Sequence, residues 1–149
     1  MCNIDEILLL LDWNRSKEEQ QEGIQLAGSV QCLKAFFQPT GMTYGKNIWE
    51  NCAIVICNRH DDELLYYIED MLLWLQDLNW PGALRIQHRL LQFTKTDMLA
   101  AIVTRFIPAL EAIGDEIWLE NIAKLTGNDG LRSKLDQKII AHLLQYNRH

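Results

Sequence analysis

The stretch WLQDLNWPGA, residues 74–83, places two tryptophans on either side of a helix-breaking segment. Asparagine, proline and glycine favour turns, so we expect one helix to end near Trp74. The next helix is expected to begin at Trp80, with Asn79 as its N-cap and Pro81 in its first turn. Each indole removes roughly 150–250 Å² from water when it is buried. The two rings are therefore expected to pack across the turn and join the two helices.

Apolar residues recur with helical spacing along most of the chain. Between 62 and 78 they form a stripe with further apolar surface beside it, which predicts a helix packed in the middle of the domain. Between 97 and 113 they form a second stripe, in which Pro108 predicts a kink or a break. A third stripe runs through 131–146 and includes His142, which we expect to be a core histidine. No segment alternates for long enough to predict a strand, so we expect an all-α protein.

The predicted helices are short and separated by short links. Ser16 and Glu19 have the spacing of a capping box, and Asp61 is expected to cap the helix that follows it. Loops are indicated by residues 39–45, with Pro39, Gly41 and Gly45, and by residues 127–130. Short links of this kind favour helices packed as antiparallel pairs.

Tryptophan recurs at intervals of 36, 31 and 38 residues, at Trp13, Trp49, Trp80 and Trp118. Repetition at this spacing predicts a unit of two helices, with each tryptophan at the start of the second helix. We expect about seven to eight helices in a single domain that spans residues 1–149.

WENCA, residues 49–53, and WLQDLNWPGA resemble an uncharacterised bacterial family of HEAT-like, armadillo-type repeat domains, over about residues 16–125. The resemblance implies a short α-α superhelix, which is a small curved solenoid, and it implies no activity. Pro81 departs from the typical second helix of a HEAT repeat, where arginine or valine is more frequent.

The chain of 149 residues has a formal net charge of -6, which argues against binding to nucleic-acid phosphates or to anionic lipid. No apolar run reaches the roughly 18 residues of a membrane-spanning helix. Asp5 and Glu6 occupy positions where a secretion signal would be basic, so no signal peptide is expected. Cys2, Cys32, Cys52 and Cys57 show no CxxC spacing, and Cys52 and Cys57, five positions apart on one helix, are poor partners for each other. Without an export signal, all four are expected to be free thiols. These observations predict a cytoplasmic protein.

Several residue groups could in principle hold a metal or perform chemistry. His60 with the acids at 61–63, or His60 with Cys52 and Cys57, could bind a metal, but neither has common zinc spacing. A cysteine with His88 or His142 as base lacks any local signature of a catalytic pair, and His149 is expected to be mobile. Carboxylate pairs among Glu50, Glu69, Asp70 and Asp77 are expected by chance in so acidic a chain. We therefore predict no catalytic residue, no cofactor and no metal.

A small basic face is predicted on the helix after Pro81, where Arg85 and Arg89 share one side and His88 lies beside them. It could be a solvated surface, or it could anchor an acidic partner, because the second helices of solenoids often line the binding face. The candidate partner-binding residues are Trp49, Glu50, Arg85, His88, Arg89 and Glu120.

The predicted function is a protein-binding or scaffold module with an unidentified protein partner, present as a monomer or a weak homodimer. The alternative is a HEAT-like enzyme of the DNA glycosylase type, which the acidic charge disfavours. A third possibility is a structural subunit whose ends stack, through the apolar segment 7–11 and the C-terminal helix.

Overall fold

In a computed structural model of the chain, residues 3–41 and 44–146 are described. All regular structure within these ranges is helical, which confirms the predicted all-α class. The α-helices are α1 (Ile4–Leu10), α2 (Lys17–Ala27), α3 (Gln38–Gly41), α4 (Trp49–Cys57), α5 (Asp61–Leu64), α6 (Ile68–Trp74), α7 (Ala83–Leu91), α8 (Thr96–Ile113), α9 (Glu116–Ala123), α10 (Asp129–Lys134) and α11 (Gln137–Tyr146). Short 3-10 turns cover Lys34–Phe36, Lys46–Ile48, Leu65–Tyr67 and Lys124–Gly127. Cys2 and His149, with their predicted free thiol and mobility, lie outside the described residues.

The described helices outnumber the predicted seven to eight, because two predicted helices are divided and α3 lies in a segment predicted as a loop. The stripe at 62–78 is split by the 3-10 turn at Leu65–Tyr67, where the Tyr67 hydroxyl accepts a hydrogen bond from the backbone N–H of Leu33 at 3.2 Å. The stripe at 131–146 is split before Asp136, whose carboxylate accepts from the backbone N–H of Lys138. Helices thus end at positions through which the apolar period continues.

The predictions for α8, α11 and α6 have different outcomes. Pro108 predicted a kink or a break; α8 is one helix from Thr96 to Ile113, so no break occurs, and buried apolar residues lie on both sides of the proline. His142 is not a core residue, because half of its side chain is exposed and its Nδ1 lies 3.2 Å from Glu111 Oε2. α6 and its flanks are well buried, as expected for a central helix: Leu64, Ile68, Met71, Leu72, Trp74 and Leu75 are all fully buried.

Local capping is only partly as predicted. Ser16 and Glu19 form the expected capping box at the start of α2. Asp61 is not an N-cap: it is the first residue of α5, His60 precedes it as the cap residue, and its carboxylate accepts a hydrogen bond from Thr94 N–H at 2.8 Å. The helical turn α3 overlaps the start of the expected loop at 39–45, of which residues 42–43 lie outside the described residues. In the expected loop at 127–130, only Asn128 separates the last 3-10 turn from α10.

The segment after Trp74 turns differently from the prediction. α7 begins at Ala83 and not at Trp80, so Asn79 is not its cap. Gly82 precedes the helix with a φ of 85°, in the left-handed region that favours glycine. Trp74 closes the turn by donating from Nε1 to the Pro81 carbonyl at 3.0 Å.

Contrary to the prediction, the rings of Trp74 and Trp80 do not pack directly on each other, but each packs against the ring of Trp49. Trp49, the first residue of α4, lies edge-on to Trp74 at a centroid distance of 6.2 Å and to Trp80 at 5.5 Å. Of the other tryptophans, Trp118 is in the first turn of α9, whereas Trp13 lies in an exposed turn after α1. The predicted position at a helix start therefore holds for Trp49 and Trp118.

The helices pack in a regular order along the chain. α2 contacts α4, α4 contacts α7, and α7 contacts the 3-10 turn that follows α9. α1 packs on α2, α6 on α7 and α8 on α9, so neighbours along the chain form pairs. α2, α4, α7 and the 3-10 turn after α9 therefore form one row of successive contacts.

Long side chains close the C-terminal ends of the helices in this row. Arg59 Nη2 donates to the Ala27 and Val30 carbonyls beyond α2, at 2.9 and 2.5 Å. Arg89 makes the same kind of contact at the end of α4, and Asn128 at the end of α7. The last carbonyls of a helix have no partner within it and need donors from elsewhere. Here each donor comes from a residue roughly one helix pair later in the chain.

Candidate functional site

A surface hollow of about 370 Å³ lies between α4 and α7. On α7 the residues that line it are three or four apart, because the opposite face of the helix is buried in the core. Its lining residues are Ile54, Cys57, Asn58, Leu84, Arg85, His88, Arg89 and Gln92. The position of the hollow follows from the packing of two helices whose outward faces leave a gap between them.

A second hollow of about 480 Å³ adjoins the first at the start of α7. Leu84 and Arg85 line both hollows, so we treat them as one surface and call it the α4–α7 groove. The second hollow is also lined by Glu50, Leu78, Asn79, Trp80, Pro81 and Gly82. Four of the six candidate partner-binding residues, Glu50, Arg85, His88 and Arg89, therefore lie in one groove.

Glu50 and Arg85 form the polar centre of this groove. The Glu50 carboxylate accepts one hydrogen bond from Gly82 N–H at 3.0 Å and another from Arg85 Nε. The Nη atoms of Arg85 make no hydrogen bond with any described residue, and half of the side chain is exposed. The pair is thus held in place from one side while the outer edge of the guanidinium remains able to bind a carboxylate.

Arg89 has a structural role that its position in the sequence does not reveal. Its side chain is only 14% exposed and forms an ion pair with Asp61 Oδ1 at 2.5 Å. It also donates from Nη2 to the Arg59 carbonyl at 2.9 Å and from Nε to the Cys57 carbonyl at 3.3 Å. The predicted basic face is therefore reduced to Arg85 and the exposed His88.

The remaining two candidate residues lie outside the groove surface. Trp49 is 3% exposed and belongs to the core beneath the groove, so any effect on a partner would be indirect. Glu120 lies on α9, is partly buried and does not line the groove. Neither Trp49 nor Glu120 is therefore a residue of the groove surface.

Sequence reasoning missed the apolar part of the groove. Leu84 is 62% exposed although it is a large aliphatic residue, and Ile54 and Cys57 lie opposite it on α4. The available signal was that Leu84 falls off the buried stripe of α7, which contains Ala83, Ile86 and Leu90. Arginine is enriched at protein-binding surfaces, and Arg85 lies directly beside this apolar surface.

The two cysteines on α4 are poor nucleophiles. Burial raises the pKa of Cys52 to about 12. Burial also raises the pKa of Cys57 to about 11, against the opposing effect of Arg89 and Arg85, and its Sγ donates to the Arg85 carbonyl at 3.5 Å. Both thiols are therefore protonated near neutral pH, and thiolate is the reactive form.

The other predicted chemical groups are not brought together. The Asp61 carboxylate accepts a hydrogen bond from Thr94, and the Glu63 carboxylate accepts one from Arg59. Among residues 3–41 and 44–146, no three His, Cys, Asp or Glu side chains converge as metal ligands would. The carboxylates considered as catalytic pairs have separate partners: Glu50 with Arg85, Glu69 with Arg105, Asp70 with Lys34, and Asp77 with the Asn79 N–H.

No helix in the described part of the chain has both the length and the apolar character needed to cross a bilayer.

The chain matched no curated protein and no solved structure. One family does match, over residues 50–146, which include α4 to α11 except the first residue of α4 and are more than half of the chain. The α4–α7 groove lies within that matched segment, and the chain belongs to this family, DUF5071, a domain of unknown function.

Proposed function

We propose that the chain is a short HEAT-like solenoid that binds another protein through the α4–α7 groove. The observation that carries this proposal is the exposed pair Leu84 and Arg85 on α7, which line the groove between α4 and α7. In solenoids, a row of second helices lines the surface that binds partners.

Repeated contacts between helix ends support the solenoid arrangement. Arg59, Arg89 and Asn128 close the ends of α2, α4 and α7 in turn. At the ends of α1 and α6, the carbonyls of Leu11 and Leu75 accept hydrogen bonds from Asn51 and Asn121 respectively, 2.7 Å away in both cases. Contacts of the same kind at similar chain separations are typical of stacked repeat units.

The chemistry of the groove favours a protein segment as the occupant. Leu84 and Ile54 offer apolar contact, and the outer edge of Arg85 offers two parallel donors beside it. A segment with an aliphatic side chain next to a carboxylate would satisfy both features. The free thiols at Cys32, Cys52 and Cys57 favour a reducing compartment, and we place the function in the cytoplasm.

The alternative, a HEAT-like DNA glycosylase, depends on a basic patch at Arg85 and Arg89. Both arginines are paired with carboxylates, Glu50 and Asp61 respectively, and the chain carries a net charge of -6. Ion pairs of this kind offer no support for the counterion release on which binding to duplex DNA depends.

The test is capture of partners from host lysate at moderate salt with the tagged chain, read by mass spectrometry. We expect one stoichiometric protein that is lost with the double variant Leu84→Asp, Arg85→Glu. Arg15→Glu is the matched control, because Arg15 is also exposed and also paired with a glutamate, Glu19 at 2.8 Å, but lies outside the α4–α7 groove.

Retention of the same protein by the wild type, the groove variant and the control alike would contradict binding in the groove. Absence of any stoichiometric protein would contradict the binding function itself. Far-ultraviolet circular dichroism and the melting temperature must match between the two variants for either comparison to count.

A further inference from the structure

A second, more apolar groove lies between α6, α8 and α9. It has a volume of about 400 Å³ and a mainly apolar lining, with Leu73, Phe106, Ala109, Leu110, Ile113 and Trp118. Ile113 also lines an adjoining hollow of about 520 Å³ that includes Ile117. We call these two hollows together the α8–α9 groove.

The floor of this groove is fixed in place. The Phe106 ring lies edge-on to Trp118 at a centroid distance of 5.9 Å. The indole of Trp118 donates from Nε1 to the Leu72 carbonyl at 2.9 Å, so its polar atom is satisfied. The floor therefore presents apolar surface in one orientation, ready for contact without rearrangement.

Two isoleucines stand exposed at the edge of the groove. Gly114 has a φ of 73° and turns the chain between α8 and α9, with Ile113 before it and Ile117 after it. These side chains are 68% and 66% exposed. Adjacent exposed aliphatic residues beside an apolar hollow mark an interaction site, since scattered single residues do not form such a patch.

The rim of the α8–α9 groove is acidic. Glu69, Asp115 and Glu116 line it, against a single cation, Arg105, that is already paired with Glu69. Asp115 is held in position because its carboxylate accepts a hydrogen bond from the Trp118 N–H at 3.0 Å. The groove thus combines an apolar floor with negative charge at its edges.

We propose that the α8–α9 groove docks a basic amphipathic helix of another protein. Aliphatic residues three or four positions apart on that helix would contact Ile113, Ile117 and Phe106, while its flanking Lys or Arg residues would lie near Glu69 and Glu116. A second copy of this chain fits poorly, because a symmetric contact would bring two acidic rims together. This docking surface is independent of the α4–α7 groove.

The probe is a fluorescein-labelled helical peptide of about 14 residues, four turns, built from leucine and lysine with the leucines on one face. A peptide of the same pattern with glutamate in place of lysine is its control. We expect fluorescence anisotropy to show binding of the lysine peptide, and binding of the glutamate peptide at least about tenfold weaker.

The apolar contribution is tested with Ile113→Asp combined with Ile117→Asp, against Leu9→Asp combined with Met98→Asp. Both pairs replace exposed apolar residues and add the same negative charge, which by itself would strengthen attraction of a basic peptide. We expect roughly tenfold or greater loss of affinity only for the isoleucine pair.

The charge contribution is tested with Glu69→Lys combined with Glu116→Lys, against the exposed pair Glu18→Lys and Glu22→Lys on α2. Affinity should fall more for the first pair, although the net charge of the two variants is equal. Equal binding of the two peptides, or equal effects of groove and control pairs, would overturn the proposal.

Two further outcomes assign the surface differently. A concentration-dependent dimer in sedimentation velocity that the isoleucine pair abolishes would show that a second copy occupies the groove, and would overturn the proposal. Loss of peptide binding in the variant Leu84→Asp, Arg85→Glu, with binding unchanged in the isoleucine pair, would assign the peptide to the α4–α7 groove instead.

Discussion

Asn51 on α4 donates a hydrogen bond from Nδ2 to the backbone carbonyl of Leu11, 2.7 Å away, at the end of α1. Asn121 on α9 makes the matching contact with the Leu75 carbonyl at the end of α6. Both asparagines are buried, so no solvent replaces the amide if it is removed. The two contacts connect helices that belong to different pairs.

We expect Asn51→Ala and Asn121→Ala each to lower the free energy of unfolding by about 1–3 kcal/mol, because a buried carbonyl loses its donor. Asn79→Ala is the control, because Asn79 is exposed, and it should change stability by no more than about 0.5 kcal/mol. Urea unfolding followed by circular dichroism measures all three. A buried variant no less stable than the control would show that these amides do not hold the helix ends.

The loss of folding stability on replacing a tryptophan by alanine is expected to increase with the burial of that tryptophan. Trp74 is fully buried, contacts Phe37 and Trp49 and bonds the Pro81 carbonyl, so Trp74→Ala should cost roughly 3–5 kcal/mol. Trp80 is only partly buried, so Trp80→Ala should cost less, about 1–3 kcal/mol. Trp13→Ala is the exposed control. The denaturant midpoint should be lowest for Trp74→Ala, higher for Trp80→Ala and highest for Trp13→Ala. A larger loss of stability for Trp80→Ala than for Trp74→Ala would contradict this packing.

Gly82 and Gly114 both have positive φ, of 85° and 73°, but different surroundings. A Cβ at Gly82 would lie 2.6 Å from the Ala53 Cβ and 3.0 Å from the Trp49 carbonyl oxygen, whereas a Cβ at Gly114 meets no atom within 4 Å. Gly114→Ala should therefore cost only the backbone strain of about 1–2 kcal/mol, and Gly82→Ala clearly more. Equal shifts in the thermal unfolding midpoint would mean that α4 and α7 do not approach as closely as described.

Asp61 is expected to make stability depend on pH. Burial acts to raise its pKa, but hydrogen bonds from the Thr94 side chain and backbone and the contact with Arg89 outweigh it, so its pKa is lower in the folded chain. The carboxylate thus stabilises the fold above the unfolded pKa of about 3.9, and this contribution is lost as the pH falls through the folded pKa.

Asp61→Asn should therefore lower the melting temperature most at pH 7, with the difference from wild type shrinking below about pH 4. Asp62→Asn is the control, because Asp62 is 77% exposed and has only a surface pair with Lys95 at 3.2 Å. Melting curves of both variants across pH 3 to 8 test the prediction. A pH-independent difference for Asp61→Asn would show that the effect arises from packing and not from its charge.

The sequence predicted local features better than it predicted the site. The capping box of Ser16 and Glu19 spans three positions, and its geometry follows from those residues alone. For Arg89, helical spacing placed it beside Arg85, but its ion pair with Asp61 was not visible in that spacing. A side chain with the right position for a binding surface can thus be turned inward by partners elsewhere in the chain.

What the sequence determined by itself was the all-α class, the buried character of the segment around Trp74 and the grouping of Arg85, His88 and Arg89 on one helix. Periodicity and capping set these features, and both depend on residues within about four positions of each other. Only the tertiary structure decided that Trp49 separates Trp74 from Trp80, and that Glu50 meets Arg85. Those contacts join residues 25 to 35 positions apart, for which helical spacing carries no information because the relative placement of whole helices determines them.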